Sequence, residues 1–84
     1  MLAGAESVIS GRQIRAARAL LGWSREKLCE ETGMSWSTLA RLEQGAADPR
    51  VSTVEAVQAA LERAGIEFVS GKGKGEGVRL VSPD

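Results

Sequence analysis

The side chains best suited to recognising another molecule lie in residues 24–45, where two short helix patterns are separated by Gly33-Met34-Ser35. In the second pattern, Leu39 and Leu42 recur at the spacing of an inward-facing stripe. The outward positions are Trp36, Ser37, Ala40, Arg41 and Gln44. Apart from Trp36, Arg41 and Gln44 these side chains are short, so the helix can approach closely within the major groove of DNA, which is about 12 Å wide. The pattern therefore indicates that one helix contacts double-stranded DNA.

Other kinds of site lack the residues that they need. The chain has no histidine, and its one cysteine, Cys29, can complete neither an internal disulfide nor a zinc site. The acidic residues are scattered, and none is paired with a histidine or a reactive nucleophile. We therefore expect no enzyme activity, no cofactor and no metal.

Capping signals place the helices that hold the outward face. Ser10 and Gln13 form a capping box for a first helix, which Gly22 ends. Ser24 and Ser35 are the expected N-caps of the second and third helices. The sequence thus predicts three short helices before residue 45.

A fourth helix and a hairpin are predicted after the third helix. Ser52-Thr53-Val54-Glu55 has the form of a capping box, and Gly65 is the expected end of the helix that it opens. After Gly65 the hydrophobic period changes from 3.6 to 2, which is typical of strands. The expected strand pairs are Ile66 with Leu80, Glu67 with Arg79, and Phe68 with Val78. We expect a mainly α fold with a flexible arm over residues 1–9, helices over 10–65 and an antiparallel β-hairpin over 66–84.

Composition limits the protein class without naming it. The chain has 84 residues, 43% of them hydrophobic, which suits one small domain. The 11 basic and 11 acidic residues give a formal net charge of zero, which argues against holding nucleic acid by bulk charge alone. No apolar run is long enough to span a membrane, and the first residues do not resemble a secretory signal. We expect a cytoplasmic protein.

The spacing of key residues resembles that of a known family. The positions that carry the resemblance are Leu28, Gly33, Ser35, Leu39, Leu42, Glu43 and Gly45. They match the helix-turn-helix of the Cro/CI-type (XRE family) transcriptional regulators, over roughly residues 10–65. The resemblance implies a repressor-like domain of four to five helices, more often a repressor than an activator. Because one helix-turn-helix with few basic residues should bind DNA weakly, we also expect a homodimer on a symmetric operator.

The resemblance also assigns roles to individual residues. Arg25, which opens the second helix, corresponds to a contact with phosphate or a nearby base. Trp36 and Ser37 correspond to positions that face bases, and Arg41 corresponds to a second base-reading position. The residues expected at phosphate are Thr38, Arg50 and Ser52, with Ser35 at a helix N-terminus that favours an anion.

Two positions depart from the family pattern. Glutamine is common where this chain has Arg25, so a charged contact replaces an amide contact there. Trp36 stands where a polar residue is usual, and because an indole cannot accept a hydrogen bond, packing against thymine methyl groups is its more natural role. Burial of Trp36 in the core remains the alternative.

Arg18 and Glu43 look functional but have a structural interpretation. In the resembled fold the matching residues form a salt bridge between the first and third helices. We therefore expect an ion pair here and not a DNA contact.

The hairpin is the expected dimerisation element, through Ile66, Phe68, Val78 and Leu80. An isolated two-stranded sheet is marginally stable in water, so these side chains need a surface to pack on. Its unpaired edge could also be completed by a second copy. The alternative is that the hairpin folds back on the fourth helix of its own chain.

Two other functions are compatible with the sequence. An antitoxin would bind both its operator and a toxin, using the hairpin or the arm for the toxin. A protein-interaction module would keep the fold without affinity for DNA, which a net charge of zero permits.

Overall fold

The computed structural model describes residues 9–45, 49–71 and 75–81, and within these ranges four α-helices precede one two-stranded antiparallel sheet. The elements are α1 (Gly11–Leu21), α2 (Arg25–Thr32), α3 (Trp36–Glu43), α4 (Val51–Arg63), β1 (Ile66–Gly71) and β2 (Gly75–Leu80). This order confirms the mainly α fold with a C-terminal hairpin. Of the arm predicted over residues 1–9, only Ile9 lies within the described residues.

The predicted caps of the first three helices are confirmed. The Ser10 hydroxyl accepts from the Gln13 backbone N–H at 3.2 Å, and the Gln13 side chain accepts from the Ser10 backbone N–H at 2.9 Å. Ser24 and Ser35 cap α2 and α3 through their hydroxyl oxygens, which accept from the backbone N–H groups of Lys27 and Thr38. Gly22 ends α1 in the left-handed conformation, with a φ of 71°. Local chemistry alone therefore accounts for these helix boundaries.

The predicted start of α4 is wrong. The helix begins at Val51, its N-cap is Arg50, and no side chain caps it, so Ser52 lies inside the first turn. The first helical bond is accepted by the Arg50 carbonyl from the Val54 N–H at 3.1 Å. Val54 and Val57 are buried in the core, and packing of this apolar face positions the helix in place of the predicted capping box.

One core connects all four helices to the first strand. The side chains at its centre are Ile14, Ala17, Leu28, Leu39, Val57, Leu61 and Ile66. The interpretation of Ala40 as an outward residue is wrong, because it is only 8% exposed. Helix α3 packs against both α1 and α2, so its buried arc is wider than the leucine stripe alone.

Helix α1 approaches the end of α3 very closely. A Cβ atom at Gly11 would lie 2.5 Å from the carbonyl oxygen of Leu42, well inside van der Waals contact. Only glycine fits at this crossing. The approach brings the arginines of α1 within reach of the C-terminal turn of α3.

The hairpin has the predicted register, with Ile66 opposite Leu80 and Phe68 opposite Val78. The charged pair on its outer face, Glu67 and Arg79, is joined by a 3.0 Å contact. Ile66 is buried in the chain's own core, and Phe68 and Val78 are partly buried against it.

The hairpin folds back on its own chain, where β2 packs on α1 and β1 on α4. Gln13, which is buried, donates from Nε2 to the backbone carbonyls of Val69 at 3.2 Å and Gly77 at 3.0 Å. Arg12 also reaches Glu76 at 2.6 Å. A hydrogen bond from Ser10, together with the Arg12 guanidinium, lowers the pKa of Glu76 below its ordinary value. Sequence reasoning anticipated contact with α4 but not this attachment to α1.

Candidate nucleic-acid interface

The turn between α2 and α3 is held by backbone geometry and one threonine. Gly33 has a φ of 76°, in the left-handed region, and its N–H donates to the Cys29 carbonyl at 2.7 Å. The Thr32 hydroxyl donates to the Leu28 carbonyl at 2.9 Å and accepts from the Met34 N–H at 3.2 Å. These bonds, with Leu28 fully buried beneath them, fix the direction in which α3 leaves the turn.

Helix α3 has a buried side and a solvent-facing side. Leu39 and Leu42 are buried, whereas Ser37 and Arg41 are exposed. Trp36 is 51% exposed, so the alternative that placed it in the core does not hold. The exposed side therefore combines an indole, a hydroxyl and a guanidinium within two helical turns.

The hydroxyls at the start of α3 are linked to each other. Ser35 accepts from the Thr38 backbone N–H at 3.2 Å and donates its own proton to Thr38 Oγ1 at 2.9 Å. One of the two hydroxyl protons therefore remains for an external acceptor such as a phosphate oxygen. Because both residues are exposed, this donor stands at the surface beside the N-terminus of the helix.

Glu43, the last residue of α3, is the acceptor on which two arginines converge. Its side chain has no exposed surface. Arg18 on α1 donates to it twice, from Nε to Oε2 at 2.6 Å and from Nη2 to Oε1 at 3.0 Å. Arg18 also donates to the Trp23 carbonyl at 3.2 Å. The pair therefore joins α1, α3 and the segment that leads into α2.

Arg25 is the second arginine on this carboxylate. It donates to Glu43 Oε1 from Nε at 3.1 Å and from Nη2 at 3.0 Å. Its guanidinium carbon also lies 4.6 Å from the centre of the Trp36 ring, within cation–π distance. The two positions at which the sequence departs from the resembled family, Arg25 and Trp36, are thus in contact with each other.

A third arginine contacts the backbone at the same place. Arg15 on α1 donates from Nη1 to the Glu43 carbonyl, which lies at the C-terminal end of α3. A cation is favourable there because the helix dipole places partial negative charge on the last carbonyls. Sequence reasoning missed Arg15, although its position one turn before Arg18 on α1 was a usable signal.

The remaining predicted contacts lie on exposed surface. Arg41 projects from the second turn of α3, and Arg50 and Ser52 lie at the start of α4. Among residues 9–45, 49–71 and 75–81, neither Arg41 nor Arg50 takes part in an ion pair. Their charges are therefore available to a ligand, unlike those of Arg18 and Arg25.

Comparison with known proteins agrees with this geometry. Residues 11–67, which are more than half of the chain, match the sequence model of a protein family described as a helix-turn-helix domain. The chain belongs to this helix-turn-helix family, and a DNA-binding regulator is the class of protein that the match supports. No curated protein matches the chain. In the part of the chain that the structure describes, no helix is long and apolar enough to cross a membrane.

Proposed function

We propose that this protein is a sequence-specific transcriptional repressor that binds a symmetric operator as a homodimer. The observation that carries the proposal is the solvent-facing side of α3, where Trp36, Ser37 and Arg41 project from a helix whose other side is fixed in the core. A rigid helix with free polar side chains suits base readout in the major groove. The spacing of the family-like residues favours the Cro/CI type within the helix-turn-helix class.

The exposed residues divide into two roles. Arg41 has the free planar fork that pairs with O6 and N7 of guanine, and Ser37 lies one turn before it on the same side. Thr38, Arg50 and Ser52 would contact phosphate, since they offer hydroxyl protons and one unpaired guanidinium near helix N-termini.

Repression is proposed because it requires no surface beyond the one that binds DNA. A dimer that covers an operator obstructs polymerase sterically. Activation would need a further surface that contacts polymerase.

Dimerisation is proposed because several cations among the described residues are already paired. With zero net charge, and with Arg18 and Arg25 already paired to Glu43, a single copy would contact few phosphates and bind weakly. Two copies related by a two-fold axis would double the contacts and place two α3 helices about 34 Å apart.

The proposed dimer interface is the outer part of the hairpin. Ile66 is buried in the core of its own chain, and Phe68 and Val78 are partly buried against that core. Leu80, in contrast, is 43% exposed and can contact a second copy. The sheet has only two strands, so its edges also carry unpaired backbone groups that a second copy could satisfy.

Substituting a charged residue for Leu80 tests this interface. Leu80→Asp should convert a dimer to a monomer, measured as mass by light scattering. Val51→Asp is the matched control, since Val51 is a 59% exposed aliphatic residue on the first turn of α4 and should leave the mass unchanged. A Leu80→Asp protein that remains a dimer would remove the hairpin from the interface.

Selection of bound duplexes from a random DNA pool tests the function itself. We expect an enriched, two-fold symmetric sequence whose half-sites are about one helical turn apart. Enrichment of asymmetric sites would contradict the dimeric operator. No enrichment even at low salt would contradict DNA binding and favour a protein-interaction module.

A further inference from the structure

Arg25 is held in one orientation by contacts with Glu43 and Trp36. Glu43 accepts from two of its nitrogens, and the Trp36 ring lies against the guanidinium. Two of its five N–H donors are bonded to a fully buried carboxylate, which fixes the guanidinium against the indole. Its position therefore suits the support of Trp36 better than the phosphate contact that the resemblance implies.

We propose that Arg25 and Trp36 act as one unit that recognises the C5-methyl group of a pyrimidine in the major groove. Trp36 is the residue that contacts the methyl group, and Arg25 is a positioning residue that fixes the orientation of the indole. The inference rests on the proposed DNA-binding function and adds to it the chemical group that is recognised.

The place of Trp36 determines what it can reach. It is the first residue of α3, and the first residues of a recognition helix are those that meet base edges. One face of its ring carries the Arg25 guanidinium, yet half of the side chain remains exposed, so the free surface is the opposite face and the ring edge.

The methyl group is the part of the groove that matches this surface. The other groups that base edges present in the major groove are hydrogen-bond donors and acceptors, and only thymine adds an apolar group. An indole gains most from contact with that group, because both surfaces lose water on contact. Cytosine acquires the same group when it is methylated at C5.

Fixing the indole in advance strengthens such a contact. A free tryptophan on a helix surface would have to be ordered on binding, which costs side-chain entropy. The cation–π contact and the two bonds to Glu43 order it in the unbound protein. Arg25 therefore affects discrimination between methylated and unmethylated pyrimidines without touching the DNA.

The test exchanges single thymines for uracil in a duplex obtained from the random-pool selection, which removes only the C5-methyl group. Wild-type protein should bind about fourfold more weakly when the thymine that contacts Trp36 is exchanged for uracil. Arg25→Gln should fold, because Glu43 keeps both bonds from Arg18, and it should lose most of this fourfold ratio. Trp36→Ala should bind the thymine and uracil duplexes with equal affinity.

A second readout separates positioning from a phosphate contact. If Arg25 positions Trp36, Arg25→Gln leaves the slope of log affinity against log salt unchanged, whereas a lost phosphate contact lowers its magnitude by about 0.9. Arg25→Lys should behave like Arg25→Gln, since an ammonium lacks the planar fork that bonds Glu43 while stacking on the indole. Arg63→Gln, at the exposed end of α4, controls for loss of charge and should change neither quantity.

Three results would overturn the proposal. A lower salt slope with an unchanged thymine-to-uracil ratio in Arg25→Gln would make Arg25 a phosphate contact. Wild-type protein that binds selected DNA but tolerates uracil at every position would refute methyl recognition while leaving DNA binding intact. Failure to select any DNA would instead refute the proposed function on which the inference rests.

Discussion

Replacing Glu43 with glutamine should destabilise the whole domain, because the lost charge is the buried counter-ion of two arginines. The Glu43 carboxylate accepts four hydrogen bonds from Arg18 and Arg25, and its side chain is fully buried. Glutamine keeps the volume, so no cavity forms and the loss is electrostatic. A carboxamide also carries an NH₂ group that would face the guanidinium donors.

The expected size follows from burial. Breaking a buried ion pair by removing one partner costs about 3–5 kcal/mol. Arg18 and Arg25 retain 18% and 25% exposure, so water can partly solvate their charges, and we expect the lower end, about 3 kcal/mol. Domains of this length have stabilities of about 4–13 kcal/mol, so the variant should remain folded but melt about 12–24 °C lower.

Thermal and urea unfolding followed by circular dichroism measures this effect. Glu67→Gln is the matched control, since Glu67 forms an ion pair with Arg79 in which both side chains are more than half exposed. Exposed pairs contribute about 0–1 kcal/mol, so the control should melt close to the wild type. Equal destabilisation by the two substitutions would refute the reasoning that the ion pairs of Glu43 with Arg18 and Arg25 stabilise the packing of α3.

Three further predictions concern binding, hairpin attachment and acid. Arg41→Ala should weaken binding by about 1–3 kcal/mol at one base position, whereas Arg50→Ala should weaken binding to all sequences and lower the salt slope; identical specificity profiles for the two variants would contradict these roles. Gln13→Ala removes two part-buried hydrogen bonds to the hairpin, together with the capping bond from the Ser10 N–H, and should cost about 1–3 kcal/mol, detected as faster amide exchange in the strands. Gln58→Ala, which loses only an exposed bond, should not change that exchange. Because the pKa of Glu76 is lowered in the folded protein, its contribution to the free energy of unfolding should be complete above the ordinary glutamate pKa. That contribution should be lost as the pH falls through the lowered pKa. NMR titration of the hairpin measures that loss, and a Glu76→Gln variant with an unchanged acid response would contradict it.

Much of the fold was predictable because its signals are local. The caps at Ser10, Ser24 and Ser35 each act on a backbone group three residues away, so the sequence itself contains both partners. The hairpin register follows from alternation on both strands, and the facing charges of Glu67 and Arg79 agree with it. In these places residue type and spacing are sufficient physical causes.

The errors occurred where packing overrode a local preference. Ser52 and the residues after it could cap a helix, but α4 begins earlier because the burial of Val54 and Val57 fixes its position. Ala40 lies outside the leucine stripe and is buried because two helices, rather than one, cover α3. A single sequence does not state how many neighbours a helix has.

The sequence by itself determined the helix-turn-helix, the hairpin register and the exposed polar side of α3, since each depends on residues that are close along the chain or alternate regularly. Only the tertiary structure decided that Arg25 joins the expected Arg18–Glu43 pair. Arg18, Arg25 and Glu43 lie on three different helices, and their convergence depends on how those helices pack. That packing pairs Arg25 with Glu43 and Trp36 while leaving Arg41 and Arg50 at the surface, because a buried carboxylate must be paired and the packed helices bring Arg18 and Arg25 to it.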